Sequence, residues 1–179
     1  MAAAIAPAPL PVPLDQVKAF LRVSGSEEDA LLAGLVRTAS DLCEAFIRTA
    51  LIDRDVEERI PASSAWTRLS LAPVRAILGL SAIGAGGEAS ALGADEHAVD
   101  IDSSGDGWVR VLRSDGPGRV LVRYRAGQAS DWNGVPEPLR HGIVRMTAHL
   151  YTHRDSEDGG APPAAVAALW LPYRRLRLS

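Results

Sequence analysis

His141, Arg145, His149 and His153 recur every four residues along one stretch of the chain, the step that aligns side chains on one face of a helix. His149 and His153 have the i, i+4 spacing with which a helix chelates a metal. No Glu follows His149, the sequence places no third ligand, and Arg145 adds positive charge to the stripe. The pattern reads first as a solvated or partner-facing basic face. A small metal-dependent enzyme using His149 and His153 is the alternative of a different class.

Asp100-Ile-Asp-Ser-Ser-Gly-Asp106 has acids or hydroxyls at the odd positions and Gly at the sixth, like a calcium loop. Val111 stands where a bidentate Glu is required, so a hairpin turn held by Asx contacts is expected instead. The one cysteine, Cys43, lies among apolar residues at helical spacing and reads as a buried structural thiol. Neither a nucleophile elbow nor a phosphate loop is present, because Gly84 to Gly87 lacks a following Lys and helix cap. No cofactor is called for, and the weight moves toward binding or structure.

The C-terminus is the most suggestive surface. Leu169, Trp170, Leu171, Tyr173, Leu176 and Leu178 are interleaved with Arg174, Arg175 and Arg177, the side-chain types that anchor interfaces. So apolar a segment is unfavourable in water. It either packs back on its own domain or docks on a partner.

The elements that must position these groups follow from periodicity. Leu14, Val17 and Leu21 mark a first helix, and Ser26 with Asp29 three residues later marks the start of a second. That helix carries Leu31, Leu35, Ala39, Leu42 and Phe46 on one stripe and Leu32, Val36, Cys43 and Ile47 beside it. From Ile52 the pattern shortens to extended runs, Val56–Ile60, Trp66–Leu71, Val74–Ile83, His97–Asp102, Trp108–Leu112 and Arg119–Arg125, separated by Pro, Gly, Ser and Asp as in antiparallel hairpins. In the last run Val120, Val122 and Tyr124 alternate with Arg119, Leu121, Arg123 and Arg125, a half-buried strand. Leu139, Ile143, Met146 and Leu150 then line the buried face of a helix beginning after Pro136. Asp131-Trp-Asn-Gly134 reads as the loop leading into it, and Gly84–Gly87 as a hairpin tip. The fold class expected is α+β: a small helical bundle, an inserted antiparallel β-sheet portion, and an extended C-terminal segment.

The expected boundaries are an extended Pro/Ala-rich arm at 1–13, a main domain at 14–155, and a linker with the C-terminal segment at 156–179. The main domain holds helices 14–23, 27–49 and 136–154 and a β portion over 52–125. With 179 residues and 47% hydrophobic content, the chain is long enough for a substantial core. Residues 1–13 have no basic start and no uninterrupted apolar stretch, so neither a secretory signal nor a membrane span is expected. Charge is uneven: residues 1–60 carry six basic and ten acidic side chains, residues 110–154 eight arginines and three acids. The net charge of -3 argues against an autonomous DNA-binding regulator.

In order and spacing these features resemble the head–tail connector, or adaptor, proteins of long-tailed bacteriophages and phage-derived gene transfer agents. The resemblance rests on Leu14-Asp-Gln-Val-Lys-Ala-Phe-Leu-Arg-Val23, Phe46-Ile-Arg-Thr-Ala-Leu-Ile52, Leu71-Ala-Pro-Val74 and Val122-Arg-Tyr-Arg-Ala-Gly127. It continues through Val135-Pro-Glu-Pro-Leu-Arg140 and His149-Leu-Tyr-Thr-His-Arg154 to the most specific part, Pro162-Pro-Ala-Ala-Val-Ala-Ala-Leu-Trp-Leu-Pro-Tyr-Arg-Arg175.

What the resemblance implies is a non-enzymatic adaptor made in the bacterial cytoplasm and located at the head–tail neck of a virion or phage-like particle. It implies a dodecameric ring between the capsid portal and the tail, with stopper or tail proteins as further partners, non-specific contact with DNA in the lumen, and no membrane. Leu169, Trp170, Leu171, Tyr173, Arg174, Arg175, Leu176, Arg177 and Leu178 become the implied portal contacts. Arg119, Arg123, Arg125, His141, Arg145 and His149 become candidate lumen or neighbour contacts. Another neck protein, a stopper or tail-completion factor, is the near alternative.

Overall fold

The computed structural model describes residues 2–4, 10–112, 118–153 and 161–175. Two compact units emerge: a helical unit of Pro9–Ile52 and Ala129–Ser179, and a sheet unit of Met1–Ala8 and Asp53–Gln128.

In the helical unit, α1 (Leu14–Leu21) ends where Arg22 turns left-handed at φ 58°, and the amide of Val23 donates to the Lys18 carbonyl at 3.0 Å. The Lys18 ammonium reaches Asp29 at 2.6 Å, so the Asp29 carboxylate is engaged away from Ser26. Accordingly α2 (Asp29–Ile47) begins without a side-chain cap, two residues later than the capping pattern indicates. Arg48, again left-handed at φ 58°, closes α2, and Glu44 accepts the amide of Leu51 at 2.8 Å. Of the two predicted stripes on α2, Leu32, Val36, Cys43 and Ile47 are fully enclosed, whereas Leu31 is 44% exposed and Leu35, Leu42 and Phe46 are half-buried. Helix α3 (Glu137–Thr152) turns Leu139, Ile143 and Met146 into the same core. Asp131 caps the 3₁₀ turn ahead of α3 by accepting the amides of Asn133 at 2.8 Å and Gly134 at 3.3 Å. A further helix, α4 (Ala164–Trp170), adds Val166 and Trp170.

The sheet unit departs from a single layer. Strand β8 (Arg119–Ala126) is the centre of a five-stranded antiparallel sheet in the order β1-β2-β8-β4-β5, and a separate sheet has the order β3-β7-β6. The larger sheet contains β1 (Ala2–Ala4), β2 (Arg54–Pro61), β4 (Val74–Ile83) and β5 (Ala89–Ala91). The smaller contains β3 (Thr67–Arg68), β6 (His97–Ile101) and β7 (Gly107–Val111). Val56, Ile60, Leu80, Val120, Val122 and Tyr124 from the first and Val109 and Val111 from the second share one core. The alternation expected of β8 holds, with Val120, Val122, Tyr124 and Ala126 inward. Within the Pro/Ala-rich stretch at 1–13, the described residues include a short extended strand. Ala2–Ala4 pairs with Val56–Glu58 as the outermost strand, and β5 is a second alanine-rich strand that its composition hides.

Inside this core the carboxylate of Glu58, only 5% exposed, accepts from the Tyr124 hydroxyl at 2.8 Å and the Ser70 amide at 3.0 Å. Burial and the Glu58 charge push the Tyr124 phenol well above its ordinary range. These bonds satisfy polar groups that would otherwise be costly to bury.

Candidate functional site

The C-terminal segment is built on a tryptophan. Pro163 sets the start of α4, and its carbonyl accepts the amides of Val166 and Ala167 at 2.8 and 2.9 Å. The helix then delivers Trp170 into the helical core with no exposed surface. The indole lies against Gly142 of α3, where an added Cβ would stand 2.1 Å from Nε1, and 5.8 Å from the Phe46 ring, centre to centre. A 3₁₀ turn, Leu171–Tyr173, follows. The Arg174 guanidinium sits over Phe46 at 5.6 Å, and the Arg175 amide donates to the Ile47 carbonyl at 3.0 Å.

The nine residues expected to form one attachment surface are therefore divided. Trp170 is enclosed by its own unit and presents nothing to a partner in this arrangement, because burying the indole outweighs leaving it in water. Leu169, Tyr173 and Arg175 are half-buried, while Leu171, at 58% exposed, and Arg174 face outward. Leu176, Arg177 and Leu178 lie outside the described residues.

The basic faces are similarly sorted. On the outer side of β8, Arg123 pairs with Glu57 at 3.2 Å, and Arg125 pairs with Asp55 at 3.1 Å and Asp53 at 3.7 Å. Half-exposed pairs of this kind contribute roughly 0–1 kcal/mol to stability, but they neutralise much of the strand's charge. Arg119 is exposed at the start of the strand. On α3, His141 and Arg145 are exposed and His149 is half-buried. His141 meets the edge of Phe20, 6.5 Å away, and Phe20 is itself 49% exposed. The His149 and His153 rings lie 4.3 Å apart, yet His153 Nδ1 is engaged by the His149 carbonyl at 3.1 Å and the Thr152 hydroxyl at 2.9 Å. Among the described residues no group of three or more His, Cys, Asp or Glu is placed to hold a metal.

The calcium-like loop is the β6–β7 turn. Asp102 accepts the amides of Ser104 at 2.8 Å and Asp106 at 3.0 Å, and its other oxygen accepts from the Trp108 indole at 2.9 Å. These bonds, the Trp108 indole first, hold the Asp102 carboxyl below the usual carboxylate range. Gly105 supplies the positive φ of 77° that the turn requires. Cys43 is buried, and desolvation drives its thiol pKa far up, leaving an inert structural group. Among the described residues no helix is long and apolar enough to cross a membrane.

Sequence reasoning missed the Gly142 notch, the Phe20 ring beside His141, and the exposed apolar residues Val99 and Ile101 on β6, 45% and 39% exposed. An unpunctuated glycine in a helix was the available signal for the first. The others needed the neighbours to be known.

Residues 12–80 match the model of the phage gp6-like head-tail connector protein family. No curated protein is matched. Among solved structures, the chain is similar to one from the neck of an empty GTA particle computed with C6 symmetry: TM-score 0.78, 24% identity, covering 100% of this chain and 97% of that one. It is also similar to a chain from the virion of a native gene transfer agent (GTA) particle, TM-score 0.76 and 24% identity, with the same coverage. A chain from the neck of a native GTA particle computed with C12 symmetry has TM-score 0.70 and 23% identity, again over 100% and 97%. The resemblance read from the sequence is met by the family match over residues 12–80, and the expected α+β fold class by the fold shared along the whole chain.

Proposed function

We propose that the protein is a structural adaptor in the neck of a phage-like particle, joining the capsid portal to the tail and lining a channel for DNA. The observation that carries this reading is the similarity of fold over 100% of the chain to chains from gene transfer agent necks, together with the connector signature at residues 12–80. The work is non-enzymatic: positioning, sealing and attachment. Subunits associate head-to-tail into a dodecameric ring, which requires two different complementary faces on each copy. Arg145 and His141, with the Phe20 ring beside them, supply one such face, and the acids of the chain's first third supply charge of the opposite sign. Arg119, and the ion-paired Arg123 and Arg125 more weakly, touch DNA phosphates without reading sequence.

Attachment to the portal falls to the outward part of the C-terminal segment, Leu171 and Arg174, and to the residues that follow, Leu176, Arg177 and Leu178. Leu169, Trp170, Tyr173 and Arg175 hold that part in place. Stopper or tail proteins take the opposite rim. The test is co-purification of the chain with its portal, and electron microscopy of the particles. A variant ending at Arg175 is expected to fold, lose portal binding and leave particles without tails. Undiminished portal binding by that variant would remove Leu176, Arg177 and Leu178 from the attachment, and undiminished binding by a variant that also carries Leu171→Ala and Arg174→Ala would remove the assignment of attachment to this end.

A further inference from the structure

Strand β6 is the last strand of the smaller sheet, and among the described strands only β7 pairs with it. Its register settles which groups face outward. The Leu112 amide donates to the Glu96 carbonyl and the Asp102 amide to the Asp106 carbonyl. Residues 98 and 100 therefore direct their backbone groups toward β7, and His97, Val99 and Ile101 direct theirs to the open edge. On the same strand Val99 and Ile101 project to one face and remain 45% and 39% exposed. Asp100, also exposed, projects to the other. An unpaired edge with an apolar row is a template for another chain, and its pattern specifies a partner alternating apolar and basic.

The chain contains such a segment. Beyond Arg175, whose amide is held by Ile47, the sequence runs Leu176-Arg177-Leu178-Ser179. Laid antiparallel on β6, Leu176 falls opposite Ile101, Arg177 opposite Asp100 and Leu178 opposite Val99. Apolar meets apolar on one face, and arginine meets aspartate on the other. Edge pairing between two copies of β6 lacks this charge match. We propose that the open edge of β6 at Val99–Ile101 is a docking site for Leu176–Ser179 of a second copy of the chain. The contact precedes the portal attachment proposed above and uses the same residues, so it holds the end of the segment only until a larger partner takes it; its test needs no portal.

Asp100 and Arg177 form the non-hydrogen-bonded pair of this register, the closer of the two pair types and within disulfide reach. The experiment mixes full-length Asp100→Cys protein with full-length Arg177→Cys protein under mild oxidation, without portal. Cys43 is buried and does not compete. A covalent heterodimer is expected as the main product, and replacing Arg177→Cys by Leu178→Cys, which points to the other face, lowers its yield several-fold. Equal yields from the two mixtures overturn the proposal. So does a predominance of Asp100→Cys homodimers, which marks β6-to-β6 pairing. A doubly substituted chain that closes only within itself overturns it as well, since the segment then belongs to its own copy.

Discussion

Trp170 and Gly142 show how a single side chain fixes the role of a segment. The indole occupies the space a methyl group would fill on Gly142, so Gly142→Ala must expel or tilt the ring. Overpacking of this kind costs about 1–3 kcal/mol. Urea unfolding followed by tryptophan fluorescence is expected to show a lower midpoint and a more solvated indole, and an unchanged midpoint would mean the notch is not filled. Asp102 gives a prediction in pH. Its folded-state pKa is lowered, so the turn's stabilisation is complete above the ordinary carboxylate value of 3.8 and is lost as pH falls through the lowered value. The Trp108 indole proton, followed by NMR, is expected to keep its hydrogen-bonded shift below that pH. Asp102→Asn is expected to abolish the pH dependence. The Asx turn was legible because Asp-Ser-Ser-Gly carries its own local chemistry. The Gly142 notch was not, because its meaning lies in a tryptophan twenty-eight positions away.

Among elements, those that hold their own pattern were readable and those defined by a partner were not. Strand β4 matches its expected span, and β8 its expected alternation, since period two survives any choice of neighbour. Strands β1 and β5 consist of Ala-Ala-Ala and Ala-Ser-Ala, which have little intrinsic strand preference and exist only because β2 and β4 offer edges. The end of α2 was likewise set by the left-handed Arg48, which no cap residue announces. For α4 the distinction between anchor and free end is measurable. Ending the chain at Arg175 is expected to leave thermal stability unchanged. Ending it before α4 removes Trp170 and Val166 and uncovers part of the helical core, a loss of about 3–5 kcal/mol for the tryptophan alone. Equal stability of the two truncations would contradict the packing of α4.

At the scale of the molecule, the chain leaves the helical unit at Ile52 and returns at Ala129, and these two residues form a parallel bridge, with the Ala129 amide on the Leu51 carbonyl at 2.9 Å. The described residues of the helical core all lie within Pro9–Ile52 and Ala129–Ser179. Replacing that insert by a short Gly/Ser linker is therefore expected to leave the helices folded, because the ends to be joined are already adjacent. Circular dichroism and a dispersed amide NMR spectrum check it, and a collapsed, poorly dispersed spectrum would show that the helices depend on the sheets.

By itself the sequence determined the class of the fold, the placing of the main helices and strands, and a resemblance to head–tail connectors, because periodicity and motif order are carried by neighbours along the chain. The tertiary structure decided what those elements do. It enclosed Trp170 instead of presenting it, paired Arg123 and Arg125 with acids, engaged His153 Nδ1 with its own helix, and gave β6 only β7 as a partner among the described strands, with Val99 and Ile101 exposed. Burial and pairing depend on what lies across space, and one strand of text does not contain that.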